Sequence, residues 1–138
     1  MSTIKESKEK NIDYKQLDSL WKAIGWKPRG EKRWAEVLKN SSFVFSIWEN
    51  NNLIGFGRIM GDGVMCMFYD IDVLPKYQRK GLGTRIKNRL IEQIKNKRYV
   101  SIGLFAWGGN SKNIPFYEKF GFKKVSTGME LEKYMKRE

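Results

Sequence analysis

The stretch that decides the fold runs from Val73 to Thr84 and reads V-L-P-K-Y-Q-R-K-G-L-G-T. It joins a strand predicted over residues 64–74 to a helix predicted over residues 81–97. A strand, a glycine-rich turn and a helix N-terminus form a site for anions, because the first amides of a helix have no acceptor within it. Arg79 and Lys80 add positive charge, so the stretch predicts a phosphate-binding turn. The alternative is that its two glycines only shape a tight turn.

Two common phosphate-binding motifs do not fit this turn. A dinucleotide-binding G-x-G-x-x-G motif needs a third glycine where Ile86 stands. A Walker A loop needs Gly-Lys followed by Ser or Thr, and this turn has no such ending. The turn therefore predicts an anion site of another kind.

The rest of the chain reads as short helices and strands. Leu17, Leu20, Trp21 and Ile24 stand at helical spacing, and Asp13 is placed to cap that helix. The pattern predicts helices over residues 11–24, 31–39, 81–97 and 111–120, and strands over 43–48, 53–60, 64–74, 99–107, 122–125 and 129–131. Antiparallel strands followed by a β-α-β crossover predict a mixed sheet with helices on both faces.

Length and composition are those of one globular domain. We expect the 138 residues to form a single domain over 1–138, with residues 1–10 as a first strand or a loose tail. No apolar run is long enough to span a membrane, and the start MSTIKESKEK lacks the apolar core of a signal peptide. The expected location is therefore cytoplasmic.

The residue types exclude several kinds of chemistry. The chain has no His, which excludes a His-dependent triad and an H-E-x-x-H zinc site. Its one Cys excludes an internal disulfide and a multi-Cys metal cage, so no metal is expected. The 27 Lys and Arg residues against 15 Asp and Glu give a net charge of +12. That charge fits nucleic acid, an anionic surface or a phosphate-rich small molecule as partner.

Two motifs resemble those of a known family. The run Q-x-x-G-x-G at 78–83, preceded by V-x-P-x-Y at 73–77, resembles the acetyl-CoA loop of the GNAT superfamily of N-acetyltransferases. The run F-Y-x-x-x-G-F at 116–122 is similar to the second hallmark of that superfamily. Gly55-Phe56-Gly57-Arg58, Asp62-Gly63 and D-x-x-V at 70–73 are similar to its small bacterial members. The resemblance covers roughly residues 41–125 and extends more weakly over the two N-terminal helices.

The resemblance implies both a fold and a reaction. The implied fold is of the α/β (α+β) class, with a mixed, mostly antiparallel sheet flanked by helices on both faces and a bulge that splays the strand over 64–74 from the next strand. The implied activity is direct transfer of acetyl from acetyl-CoA, as co-substrate, to a primary amine of a small molecule or amino acid. We expect no nucleic-acid or membrane partner, and exposed strand edges are compatible with a homodimer.

Two other functions stay open at this point. The charge of +12 and the Trp and Tyr content suggest a nucleic-acid-binding module, although the chain has no RRM, KH or zinc signature. A GNAT-like domain that binds acyl-CoA as a sensor without turnover is the third possibility.

The resemblance also assigns cofactor contacts. They fall on the strand over 64–74, the turn and the helix over 111–120, and comprise Ile71, Asp72, Val73, Gln78, Arg79, Lys80, Gly81, Leu82, Gly83, Thr84, Asn110, Asn113, Phe116 and Tyr117. The Val73 N–H is expected to polarise the thioester carbonyl. Tyr117 matches the tyrosine that protonates the departing thiolate; the alternative is an aromatic packed on the helix over 81–97.

The sequence does not decide which of two nearby aspartates is the catalytic carboxylate. Asp70 and Asp72 share a face of a strand, and either of them can hold an ammonium or pass its proton to water. Asp70 has the alternative of pairing with Arg58, itself a substrate-binding candidate, and Glu49 is a weaker candidate for the base.

The remaining candidates belong to the acceptor side and to the core. Among the N-terminal aromatics, Trp26 lies in a Gly/Pro loop and is the one expected to touch substrate, while most of the others are expected in the core. We expect Cys66 to be a buried packing residue of the core rather than a nucleophile.

Overall fold

A computed structural model describes residues 3–105, 113–125 and 129–136. By its internal contacts the chain divides into two units, Met1–Leu104 and Phe105–Glu138. Within the described ranges, none of the helices has the length and apolar character that a membrane span requires.

In its described residues the first unit holds, besides a 3-10 turn at Pro75–Tyr77, eight α-helices and β-strands. They are β1 (Ile4–Ser7), α1 (Tyr14–Ala23), α2 (Glu31–Asn40), β2 (Phe43–Glu49), β3 (Asn52–Gly61), β4 (Met65–Val73), α3 (Leu82–Ile94) and β5 (Ser101–Leu104). In this unit the predicted order of helices and strands is confirmed, and residues 1–10 contain a first strand. Asp13 caps α1, since its carboxylate accepts the Lys15 N–H at 2.9 Å. β5 is shorter than the strand predicted over 99–107, of which residues 106 and 107 lie outside the described part.

The five strands form one sheet in the order β1-β2-β3-β4-β5. The first four pair antiparallel, whereas β4 and β5 are parallel. Parallel neighbours need a crossover connection, and α3 provides it. The predicted mixed, mostly antiparallel sheet is thereby confirmed.

One face of the sheet is covered by α1 and α2. The apolar cluster on this face consists of Ile12, Leu17, Leu20, Trp21, Trp34, Leu38, Val44, Leu53 and Phe56. Three of its rings meet edge to face, with the Phe56 centroid 6.3 Å from Trp21 and 6.1 Å from Trp34. Edge-to-face contacts suit aromatic quadrupoles, so these rings fix how the two helices sit on the strands.

The opposite face is covered by α3, which lies very close to the strands. A Cβ at Gly57 would lie 2.6 Å from Ile86 Cγ2, and one at Gly55 would lie 3.0 Å from Ile86 Cδ1. Ile86 and Leu90 are fully buried at this contact. The two glycines of β3 therefore make room for the helix, and the sheet has helices on both faces as predicted.

β4 carries a bulge and then separates from β5. Phe56 and Arg58 of β3 pair with Asp72 and Tyr69 of β4. Between these two pairs β3 has one residue and β4 has two, which is a β-bulge. Asp70 stands in the extra segment with φ 55°, a left-handed conformation that Asp adopts more readily than most residues. Among the described residues, β5 pairs only with Met65–Phe68 of β4. The implied bulge and splayed pair are both present.

The second unit contains α4 (Asn113–Glu118), and its end explains one of the two motifs. Gly121 has φ 92°, its N–H donates to the Glu118 carbonyl at 3.1 Å, and the Phe122 N–H donates to the Tyr117 carbonyl at 3.3 Å. This is a Schellman motif, in which the hydrophobic contact falls between Phe122 and Tyr117, whose ring centroids are 5.9 Å apart. The tyrosine, the glycine and the last phenylalanine of F-Y-x-x-x-G-F thus end one helix together.

The terminal strand pair predicted over 122–125 and 129–131 is wrong. These residues are in neither strand nor helix, and a short 3-10 turn follows at Glu132–Tyr134. Val125, Met129 and Leu131 are 80%, 93% and 69% exposed. Apolar spacing favours a strand only where a partner strand shields the side chains, and these side chains remain exposed.

We expect Gly57→Ala to lower the free energy of unfolding by about 1–3 kcal/mol, because the new methyl group overpacks against Ile86. Urea denaturation measures the change. In an Ile86→Leu background the same substitution should cost less, since the β-branch methyl that it meets is gone. An equal cost in both backgrounds would contradict this contact as the cause.

Candidate active site

The turn between β4 and α3 has the backbone geometry of an anion site. Arg79 and Gly81 have positive φ values of 64° and 84°. α3 begins at Leu82, and among the described residues no side chain caps its N-terminus. The Arg85 N–H donates to the Gly81 carbonyl at 3.0 Å, so the amides of the helical turn before it point beyond the helix. With Arg79 and Lys80 exposed beside them, these amides suit a phosphate.

The same turn is anchored to the sheet at two points. The Gln78 side-chain amide donates to the Val73 carbonyl at 2.9 Å. The Tyr77 hydroxyl donates to the Glu49 carboxylate at the end of β2, and this hydrogen bond raises the pKa of Tyr77. Glu49, the weaker candidate for a base, thus has a structural partner, and the turn is held at the end of β4.

The strand register sets the direction of the Val73 amide. The Leu74 N–H donates to the Ile54 carbonyl at 2.9 Å, so Val73, opposite Gly55, belongs to a non-hydrogen-bonded pair. Its N–H therefore points away from β3, toward the side on which β4 and β5 splay apart. This orientation suits an amide that polarises a carbonyl.

Asp70 lies between two guanidinium groups. Arg58 Nε donates to Asp70 Oδ2 at 2.7 Å, Arg29 Nη1 donates to the same oxygen at 3.1 Å, and Arg29 Nη2 donates to Oδ1 at 3.4 Å. The three side chains are only 13% to 21% exposed. The pairing with Arg58 that the sequence left open is present, and it engages the Asp70 charge.

Sequence reasoning missed Arg29 and Asp18. The Asp18 carboxylate accepts the Arg29 N–H at 2.8 Å, the Gly30 N–H at 3.1 Å and the Trp34 indole N–H at 2.7 Å. Two features of the sequence could have drawn attention to them. Asp18 follows directly on the apolar position Leu17 of α1, and Arg29 stands between Pro28 and Gly30. Neither signal names a partner, because Arg29 and Asp70 are 41 residues apart in sequence.

Asp72 has an unusual ionisation. It is partly buried opposite Phe56 on the face that α1 and α2 cover. Burial, and then repulsion by Asp70, raise the pKa of Asp72 to about 7, while Arg29 opposes the rise. A carboxyl with that pKa exchanges a proton near neutral pH, which is what a general base requires.

The tryptophans divide between the core and the surface, and Cys66 lies in the core. Trp21 and Trp34 are buried, as expected for core residues, whereas Trp26 is 51% exposed in the loop between α1 and α2. Cys66 is buried on β4, and burial raises the pKa of its thiol. A buried thiol with a raised pKa is unreactive, which supports the prediction that Cys66 is a packing residue of the core.

The remaining predicted residues belong to the second unit. Tyr117 and Phe116 lie on α4 with ring centroids 5.0 Å apart, and Phe116 also contacts Phe120 at 5.2 Å. Asn113 is the first residue of α4. Asn110 lies outside the described residues.

Comparison with known proteins points to one family. The sequence model of the acetyltransferase (GNAT) family matches residues 10–122. An uncharacterized N-acetyltransferase ycf52 of Pyropia yezoensis is 33% identical over 129 residues, which cover 90% of this chain and 72% of that protein.

Two solved structures are similar as well. A probable acetyltransferase of Staphylococcus aureus superposes with a TM-score of 0.79 at 28% identity, covering 94% of this chain and 98% of that one. A GNAT family acetyltransferase of Streptococcus pneumoniae superposes with a TM-score of 0.77 at 26% identity and covers both chains fully.

We expect Asp70→Asn to lower the free energy of unfolding by about 3 kcal/mol, because it leaves two partly buried guanidiniums without their carboxylate. Asn tolerates the left-handed backbone, so the change isolates the charge. The matched control is Glu92→Gln, which removes an exposed partner of Arg89 and should cost under about 1 kcal/mol. Equal losses in urea denaturation would argue against the Asp70 pairs as a stabilising feature.

The raised pKa of Asp72 predicts a pH-dependent stability. The folded state holds the proton more tightly than the unfolded chain does, so this group's contribution to stability falls as pH rises from about 4 to about 7. We therefore expect Asp72→Asn to be more stable than the wild type at pH 8, by at most about 4 kcal/mol, because folding raises the pKa of Asp72 from 3.8 to about 7. The difference should shrink toward pH 4.

Asp62→Asn is the control of opposite sign. The Met65 and Val64 amides lower the pKa of Asp62 below its usual 3.8, so its contribution to stability is lost only below about pH 4. This variant should therefore be less stable than wild type by nearly the same amount at pH 4.5 and at pH 8. Thermal melts at pH 4.5 and pH 8 measure both differences. A constant offset for Asp72→Asn across this range would show that the carboxyl does not titrate there.

Proposed function

The chain belongs to the GNAT family of acetyltransferases, and from that premise we propose that it transfers the acetyl group of acetyl-CoA directly to a primary amine of a small molecule or an amino acid. The expectation of an acetyltransferase, drawn from the two sequence motifs, is confirmed by the family match and the similar structures.

The raised pKa of Asp72 is the observation on which the proposal rests. A primary ammonium must lose a proton before its nitrogen attacks, and a base is most effective with a pKa near the working pH. The pKa of Asp72 is about 7, and the residue next to it is Val73, whose amide points to the splayed side of β4. We assign the role of base to Asp72, acting through water. Asp70, whose charge Arg29 and Arg58 engage, is assigned the role of counter-ion.

The proposed reaction forms one C–N bond and breaks one C–S bond. Acetyl-CoA supplies the activated acyl group when bound. The Val73 N–H polarises the carbonyl, Asp72 takes the proton of the amine, and Tyr117 gives a proton to the thiolate. The role of Tyr117 rests on its place in F-Y-x-x-x-G-F. Reference pKa values of about 10 for Tyr and about 8.5 for a thiol differ by only about 2 kcal/mol.

The turn before α3 is proposed to hold the phosphates of the co-substrate. Its amides and exposed cations fit an anionic group, and a phosphate would take Arg79, Lys80, Gly81, Leu82, Gly83 and Thr84 as its surroundings. Gln78 is proposed to act by holding the turn to the Val73 carbonyl. The backbone of Ile71–Val73 is proposed to meet the pantetheine arm, and Asn113 and Phe116 remain contacts proposed from the motif alone.

The acceptor is proposed to be a small amine or an amino acid. The net charge of +12 disfavours a polycationic acceptor, because like charges repel unless the cleft is locally acidic. Trp26, half exposed in the loop between α1 and α2, is proposed as an apolar contact for the acceptor. Arg58 is proposed to act through Asp70, since Asp70 and Ser41 both engage its guanidinium.

The test is an acetylation assay over a panel of primary amines and amino acids, with acetyl-CoA, thiol release and product mass as readouts. We expect Asp72→Asn to lower kcat by about 100-fold or more, the usual contribution of a general base. Asp62→Asn, a carboxyl removed from an exposed turn, is the matched control and should keep wild-type turnover. Full turnover by Asp72→Asn would contradict the assignment of the base.

Tyr117→Phe should lower kcat far more than it raises the KM for acetyl-CoA, because the lost hydroxyl serves the leaving group. Tyr134→Phe, at a tyrosine 73% exposed in the same unit, is its control. Equal kcat values for wild type and Tyr117→Phe would leave Tyr117 with the packing role of the Schellman contact.

A further inference from the structure

We propose that Arg29 is a positioning residue: it locks the loop between α1 and α2 onto the bulge of β4 and so fixes the electrostatic surroundings of Asp72. The inference rests on the proposed function, because that function makes Asp72 the base. Arg29 acts through Asp70 and Asp72 and need not touch the reacting atoms.

The Arg29 guanidinium lies between two aromatic rings. Its central carbon is 4.9 Å from the Trp21 centroid and 4.6 Å from the Trp34 centroid, and the two rings are themselves perpendicular at 4.9 Å. The side chain is 21% exposed. A planar guanidinium can stack on both rings and still direct two nitrogens at one carboxylate, whereas a Lys ammonium cannot do so.

The loop is fixed on both sides of this guanidinium. On the backbone side, Asp18 of α1 accepts the amides of Arg29 and Gly30, and it also accepts the indole N–H of Trp34 in α2. On the side-chain side, Arg29 reaches Asp70 in the bulge of β4 with two hydrogen bonds. Arg29 is therefore the link from the acceptor-side loop to the strand that carries Asp72.

The charges around Asp72 show what this link controls. The titratable and charged groups near Asp72 include Asp70 and Tyr69 on β4, Arg58 on β3, Arg29 in the loop, Asp18 on α1 and Lys10, whose ammonium donates to the carbonyl of Ser41 beside Arg58. Burial and Asp70 raise the pKa of Asp72, and Arg29 lowers it. Without Arg29, Asp70 keeps its ion pair with Arg58, and its repulsion of Asp72 is no longer opposed from the loop.

The consequence is a shift in the pH dependence of catalysis. The base must be ionised to act, so a higher pKa moves the acidic limb of the kcat/KM profile to higher pH. For Arg29→Gln we expect an upward move of about 1 unit, the lower end of the effect of one opposite charge. With the limb near pH 7 this lowers kcat/KM at pH 7 about fivefold and leaves the plateau above pH 9 nearly unchanged.

Two variants and one control separate positioning from simple stability. Arg29→Lys keeps the positive charge but loses the planar guanidinium that stacks between the two rings. The acidic limb of its kcat/KM profile should therefore stay near that of the wild type, while the KM for the amine rises. Arg89→Gln removes another Arg that pairs with a carboxylate, Glu6, and should change neither quantity. If Arg29→Gln does not fold, Arg29→Lys still decides the matter, since an unchanged amine KM would overturn the role in holding the loop.

A second readout needs no activity. The chain has five Asp residues, so the Asp72 carboxyl carbon can be assigned by NMR from the peak that Asp72→Asn removes, and then titrated. We expect the Asp72 midpoint to rise in Arg29→Gln and to stay in Arg89→Gln. A lower melting temperature for Arg29→Gln with an unmoved midpoint would overturn the inference, leaving Arg29 a plain stabilising residue. A moved midpoint in a protein that acetylates no amine would overturn the proposed function and uphold the electrostatic role of Arg29.

Discussion

The Asp70 carboxylate is the charge on which the arrangement of the site depends. The bulge of β4 gives Asp70 its left-handed backbone, and Arg58 and Arg29 then bind it from β3 and from the loop between α1 and α2. Three segments far apart in sequence are thereby joined at one pair of oxygens. Because a partly buried carboxylate without partners is costly, the pairs and the bulge stabilise each other.

Two aspartates two residues apart consequently have different chemistry. Asp70 accepts hydrogen bonds from the Arg29 and Arg58 guanidiniums. Asp72 is partly buried beside it, and this burial together with repulsion by Asp70 raises the pKa of Asp72 to about 7. The proposed roles of counter-ion for Asp70 and base for Asp72 thus follow from environment rather than from residue type, as in other sites that hold two carboxyl groups.

Steric space and hydrogen bonding position the turn between β4 and α3, the proposed phosphate site, relative to these carboxyls. Gly57 lets α3 lie against the sheet, because a Cβ at this position would meet Ile86. The Gln78 amide on the Val73 carbonyl and the Tyr77 hydroxyl on Glu49 then hold the turn to the strands. The proposed anion site is therefore joined by hydrogen bonds to the strand that carries the Val73 amide.

The sequence by itself determined the features whose causes lie within a few residues. These are the helical spacing of Leu82 to Ile94, the cap at Asp13, the turn before α3 and the motif that ends α4, because each depends on local backbone bonds and on side chains three to five positions apart. The strand order and the helices on both faces followed from the order of these elements. Only the tertiary structure decided what depends on distant partners: the pairing of Arg29 with Asp70, the hydrogen bond from Tyr77 to Glu49 and the pKa of Asp72. It also overturned the strand pair predicted over 122–125 and 129–131, since apolar spacing states what a strand could bury but not whether a partner is there to bury it.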